Sequence, residues 1–102
     1  MVVVLALVAL AVRLQDKPTA IHYYRVIDDR TIAVGTITGP GTWTRVTAAT
    51  ETTTSITVSV SSLTAPLPGA GDDILELNVT VQDAIDGRSV IDANSGLPVP
   101  RS

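Results

Sequence analysis

The residues with the most evident chemistry stand together near the start of the chain: Asp28, Asp29 and Arg30, inside the stretch VIDDRTIAVG from Val26 to Gly35. Two adjacent carboxylates are hard oxygen donors, and a calcium ion takes several such oxygens. Asp72 and Asp73, in the longest connection of the chain, supply a second half for such a set. Asp83 and Asp86 are further loop carboxylates that could converge on it. No D-x-D-x-D-G spacing accompanies them. The competing reading is a turn, because Asp28 and Asp29 fall where one β-forming run must reverse into the next. There a carboxylate accepts nearby backbone N–H groups, and Arg30 can pair with either aspartate. The turn explains all three residues without a ligand. Calcium at Asp28, Asp29, Asp72 and Asp73 is therefore the second of two expectations, and no other cofactor is expected.

The remaining side chains offer less. His22 is the single histidine, and with no cysteine in the chain a transition-metal site lacks its usual nitrogen and sulfur donors, so His22 reads as a strand residue. A serine nucleophile would need His22 as its base. No serine sits in a G-x-S-x-G elbow, and Ser55, Ser59 and Ser61 read as the wet side of a strand. Tyr23, Tyr24 and Trp43 could line a carbohydrate or peptide surface, but in a chain with 3% aromatic residues they are expected as core anchors. Asn78 to Thr80, NVT, matches a glycosylation sequon, a pattern too short to decide anything. No catalytic residue emerges.

With 102 residues the chain is long enough for one core and too short for two domains. Its net charge of -3 and seven scattered basic residues offer no stripe to neutralise phosphates, so nucleic acid is not an expected partner. The absence of cysteine removes disulfide scaffolds and thiolate sites while leaving the compartment open.

The compartment is read from MVVVLALVALAVRLQDKP. Met1 to Val12 is uncharged and apolar on every side, so it requires burial all round. It is short of the roughly 20 residues that span a bilayer as a helix, and runs of this length occur as signal-peptide cores, re-entrant segments or buried elements. Ala9 and Ala11 give the small-x-small pattern of a cleavage site, and the missing basic residues would lie upstream of Met1 in a longer leader. The expectation is an apolar helical leader or membrane anchor over residues 1–14, a linker over 15–19 and a domain over 20–102. The alternative is that Val2 to Val12 is a central strand or buried helix of the domain itself.

The domain reads as strands. Ile56, Val58 and Val60 alternate with Ser55, Thr57, Ser59 and Ser61, and Leu75, Leu77, Val79 and Val81 alternate with Glu76, Asn78, Thr80 and Gln82. Both are period-2 patterns with one dry face, which predicts a common core. Ala20 to Ile27, Thr31 to Thr38 and Thr42 to Thr50 are rich in β-forming residues, and Ser89 to Asp92 and Leu97 to Val99 are shorter candidates. TGPGT at Thr38 and the two prolines and two glycines of Thr64 to Asp73 mark reversals. The fold class predicted is all-β: a small antiparallel β-sandwich of about six or seven strands, preceded by a short apolar N-terminal helix.

The order of these pieces resembles a small uncharacterised β-domain of secreted proteins and lipoproteins of actinobacteria. The similarity runs from Tyr23 to Arg101 through the V-x-D-D-R-T hairpin at Val26 to Thr31 and the G-R-x-V-x-D ending at Gly87 to Asp92, followed by a glycine turn and Val-Pro-Arg. Such domains often carry a cysteine pair near the GPG turn and before the Ile74 strand, and this chain has neither. The resemblance implies an extracytoplasmic, secreted or membrane-anchored location and no activity. The function expected is a binding or scaffolding domain without catalysis, its partner an unknown protein, with membrane contact through the N-terminal segment. The alternative is a self-associating subunit whose apolar N-terminal segment inserts into a neighbouring chain, since so apolar a segment cannot stay in water.

Overall fold

A computed structural model of the chain describes residues 16–39, 41–64 and 73–102. Seven strands follow in order: β1 (Asp16–Pro18), β2 (Tyr23–Asp28), β3 (Thr31–Thr38), β4 (Thr42–Glu51), β5 (Ser55–Thr64), β6 (Asp73–Thr80) and β7 (Ser89–Asp92). They form two sheets, and there is no helix among the described residues. The N-terminal helix expected over residues 1–14 lies outside them.

In the first sheet β5 is central. β4 lies antiparallel on one side, with a bulge between Val46 and Ala48. The other side is shared by two short strands. β1 runs antiparallel opposite Ser61 to Leu63, and β7 runs parallel opposite Ser55 to Val58. The second sheet is antiparallel throughout, in the order β2, β3, β6.

Three expectations are corrected by this topology. Asp16 to Pro18, assigned to a linker, is a strand of the first sheet. Arg45 on β4 holds Asp16 with two hydrogen bonds of 3.0 and 2.6 Å, and Pro18 is tolerated because it ends an edge strand. The sheet is also not purely antiparallel, because the chain enters β7 beside the first residue of β5. Leu97 to Val99 makes one bridge, Pro98 to Ile91, where a strand was expected. Two prolines, Pro98 and Pro100, leave too few donors there for a ladder.

The two alternating segments meet in one core as their periods dictate. Ile56, Val58 and Val60 have no exposed surface, and they share a cluster with Tyr24, Ile32, Val34, Val79, Val81, Ile85 and Val90. Burying each such aliphatic side chain is worth about 1.5–3 kcal/mol. β3 is covered on both faces from Ile32 to Thr36. Its outward positions are the small Ala33 and Gly35, and the Tyr23 ring from β2 lies over Gly35, where a Cβ would clash with the ring. Toward the other end of the sheets the inward positions turn polar. The Thr44 hydroxyl meets Ser62 Oγ at 2.8 Å and Thr38 Oγ1 at 3.3 Å, joining the sheets through hydroxyls rather than methyls. Leu75 and Leu77, at that end of β6, are only half-buried.

Val79 sits opposite Ile32 with 4% of its surface exposed, while its neighbour Thr80 faces solvent. Val79→Asp puts an unpaired carboxylate among aliphatic groups and is expected to unfold the domain, since its cost is comparable with the roughly 5–15 kcal/mol stability of a small domain. Thr80→Asp is expected to shift the thermal melt only slightly. Equal melts for the two variants would overturn the register.

Candidate functional site

The polar clefts gather at one end of the molecule, where β4 stops and residues 81–88 carry the chain from one sheet to the other. This crossing has no ladder of its own, so each backbone group needs a specific partner. Val81 N–H donates to the Arg30 carbonyl (2.8 Å), Ile85 N–H to the Asp29 carbonyl (2.8 Å), and Arg88 N–H to the Ile85 carbonyl (3.0 Å). Gly87 supplies the left-handed turn at φ 77°.

The carboxylate of Glu51, the last residue of β4, faces this crossing. It accepts the N–H groups of Gln82 (3.0 Å) and Asp83 (3.3 Å) and one hydrogen bond from Arg88 Nη1 (3.0 Å). The Arg88 side chain is 5% exposed. Its guanidinium also donates to the carbonyls of Ala84 (3.0 Å), Thr52 (3.2 Å) and Asp83 (2.6 Å). The Gln82 N–H, then Arg88 and the Asp83 N–H, hold the Glu51 carboxyl below the usual carboxylate range against opposing desolvation. Beside this pair opens a cleft of about 470 Å³, whose rim carries Asp83 and Asp86. A smaller one of about 160 Å³ adjoins it between Asp29, Asp86 and Arg101.

A buried carboxylate, Asp92, was not anticipated from sequence. Asp92, 5% exposed, accepts Ile21 N–H (3.1 Å) through Oδ2 and Asn94 N–H (2.9 Å) through Oδ1. Asn94 in turn donates to the carbonyls of Thr19 (3.0 Å) and Val60 (3.3 Å). A signal was present: Arg88, Val90 and Asp92 share one parity, and the face that buries Val90 takes the two charges inward with it.

The sequence candidates are placed as follows. Asp28 Oδ1 accepts the Arg30 N–H at 2.9 Å, a turn contact that lowers its pKa. Arg30 could pair with Asp28 or Asp29, but among the described residues its side chain forms no ion pair. Its backbone, not its charge, makes the turn. Asp73 lies opposite Thr38, at the far end of β3 from Asp28 and Asp29, and seven residues of strand separate them by about 23 Å. One calcium ion therefore cannot draw on Asp73 together with Asp28 and Asp29. Asp72 lies outside the described residues. Among the described residues no three His, Asp or Glu side chains gather in metal-holding geometry.

The aromatic residues divide. Tyr24 is a core anchor, as expected, at 9% exposure. Trp43, expected in the core, is 62% exposed because its outward position on β4 faces solvent beside Leu63. The Arg45 guanidinium lies 4.7 Å from the centre of its ring. On the outer face of the second sheet Glu76 binds Arg25 through two hydrogen bonds (3.0 and 2.7 Å) and accepts the Tyr23 hydroxyl at 3.0 Å. Arg25 first and Tyr23 second lower the Glu76 pKa, and the bond to Glu76 raises that of Tyr23. His22 is exposed just before β2 and donates its N–H to the Gly35 carbonyl (2.9 Å). Ser55, Ser59 and Ser61 lie on the outward face of β5 as expected.

No protein family, no curated protein and no solved structure matches this chain.

The cleft residues are thus placed to hold the crossing. Arg88→Met strands the carbonyls of Ala84, Asp83 and Thr52 together with Glu51, and is expected to cost about 3 kcal/mol or more. Glu51→Gln keeps the shape and removes the charge. A carboxyl with a lowered folded pKa stabilises fully above about pH 4.5 and progressively less as pH falls through its folded value. The melting difference between wild type and Glu51→Gln is therefore expected to be largest at neutral pH and to close in acid. A difference independent of pH would show that the Glu51 charge contributes nothing.

Proposed function

We propose that the chain is an extracytoplasmic β-sandwich domain that binds or scaffolds and performs no catalysis. The observation carrying this reading is the state of its buried ionic groups. Arg88 and Asp92, with the partly covered Glu51, are engaged by backbone partners on several sides, so these three serve the fold, and the carboxylates left at the cleft rims, Asp29, Asp83 and Asp86, are solvent-exposed. Exposed apolar side chains, Ile37, Ile74 and Trp43, suit contact with another surface. The extracytoplasmic location rests on the apolar segment Met1 to Val12 and on the resemblance to secreted β-domains.

Incubating the full chain with chromogenic ester, phosphate and glycoside substrates is expected to give no turnover above buffer. Turnover that Asp86→Asn removes would overturn the non-catalytic reading. In the host that carries the gene, fractionation is expected to recover the protein outside the cytoplasm, and a cytosolic pool retaining Met1 would overturn the location. Millimolar calcium is expected to leave the melt unchanged, because a specific ion would raise it by mass action.

A further inference from the structure

The second sheet ends in two different edges. At β2 the outer edge is partly taken by the C-terminal stretch, where Tyr24 N–H donates to the Pro100 carbonyl (2.9 Å) and Ser102 N–H to the Tyr24 carbonyl (2.8 Å). At β6, among the described residues, no strand pairs with the outer edge.

The register identifies the groups left there. The bond from Val81 N–H to the Arg30 carbonyl continues the Thr31–Thr80 register, so Val79, Leu77 and Leu75 exchange both backbone bonds with β3. The N–H and C=O groups of Ile74, Glu76, Asn78 and Thr80 therefore point away from β3, along an edge unpaired among the described residues. Nothing on β6 blunts it: eight residues run in unbroken register without proline, lysine or bulge. By contrast β4, the outer strand of the other sheet, carries a bulge and Arg45. A second observation points the same way. Leu75 and Leu77 face inward yet are only half-buried, and the outward Ile74 is 69% exposed.

We propose that β6 pairs antiparallel with β6 of a second copy of this chain, joining two three-stranded sheets into one continuous sheet across a twofold axis at Leu77. This rests on the binding role proposed above and names the partner. A strand of matching alternation is what the edge selects, because backbone groups must pair and the inward row must receive apolar side chains. Opposed residues must share a face, which leaves two central registers. An axis at Glu76 sets two carboxylates opposite each other, which is destabilising. An axis at Leu77 sets Glu76 opposite Asn78, Ile74 opposite Thr80 and Leu75 opposite Val79, covering both half-exposed leucines. It forms about eight backbone hydrogen bonds, with Leu77 against its own symmetry mate.

The full chain has no cysteine, so single thiols report cleanly. Leu77→Cys is expected to form a disulfide-linked dimer on mild oxidation, Glu76→Cys is not, and the double variant Glu76→Cys with Asn78→Cys is expected to cross-link again. By sedimentation across a concentration series, Asn78→Glu is expected to weaken the dimer roughly tenfold, since it twice opposes Glu76 with a like charge. Asn78→Lys is expected to strengthen it. Asn78 is exposed, so both variants fold. A wild-type chain monomeric at every concentration would overturn the proposal while leaving the binding role to another partner. Association indifferent to both Asn78 variants would assign it to a different surface, including Val2 to Val12, and would equally overturn it.

Discussion

One guanidinium carries the constraint on which the two-sheet arrangement depends. The chain must leave β6 in one sheet and enter β7 in the other, and the crossing, residues 81–88, lies against the core with its carbonyls turned inward. Arg88 reaches the Ala84, Asp83 and Thr52 carbonyls and the Glu51 carboxylate at once. Only a planar fork with donors in several directions can do this, and a lysine ammonium in the same place would reach fewer of them. Glu51 completes the arrangement by holding the other side of the crossing through the Gln82 and Asp83 N–H groups. Taking charges out of water is costly, so this cluster fixes geometry more than it adds net stability. It decides which end of β4 the crossing meets, and hence that β7 enters parallel to β5.

Asp92 does the same at the far end of β7. Its carboxylate ties the start of β2 through Ile21 N–H and orients the turn through Asn94 N–H. Arg88 and Asp92 therefore bracket Val90, which is 1% exposed, and a four-residue strand too short to hold itself is fixed by an ionic group at each end. The edge of β5 can then be divided between β7 and β1. Thr19 N–H and Ala93 N–H donate to the Val60 and Val58 carbonyls at the junction, so the carbonyls of β5 stay paired across the gap between the two short strands.

What the sequence shows follows from which signals are local. Alternation in Ser55–Thr64 and in Leu75–Val81 is local, and it placed both strands and their shared core correctly. Asp28 as a turn residue is local too, because its carboxylate reaches only two residues ahead. The position of Trp43 is not local: β4 alternates weakly, and the bulge at Val46 and Ala48 changes parity midway, so hydrophobicity alone sent Trp43 to the core. The separation of Asp28 and Asp29 from Asp73 depends on the β3–β6 register, which no spacing along the chain encodes. Asp16 to Pro18 reads as a linker because charge and proline are local breaking signals. The pairing that overrides them comes from Arg45, about thirty residues away in sequence. Arg88 and Asp92 lay within reach of a parity argument but resemble surface charges until Val90 is known to face inward.

The polar chemistry of this molecule is thus mostly internal, and that bears on where it can meet another molecule. A cleft lined by ionic groups invites a ligand through whatever hydrogen-bonding capacity remains free, and at the crossing Arg88 and Glu51 direct theirs into the backbone and each other, which leaves the exposed Asp83 and Asp86 at the rim. The second sheet is arranged the other way. Its outer face is partly covered by a cross-strand cluster of Tyr23, Arg25 and Glu76, and its β2 edge is partly taken by the C-terminal stretch. The unpaired capacity among the described residues of that sheet therefore collects along β6, where the inward leucines are also least covered. Backbone donors and acceptors in a straight row cannot recognise a small polar ligand with any selectivity. They recognise another extended strand, and the alternating side chains decide which one.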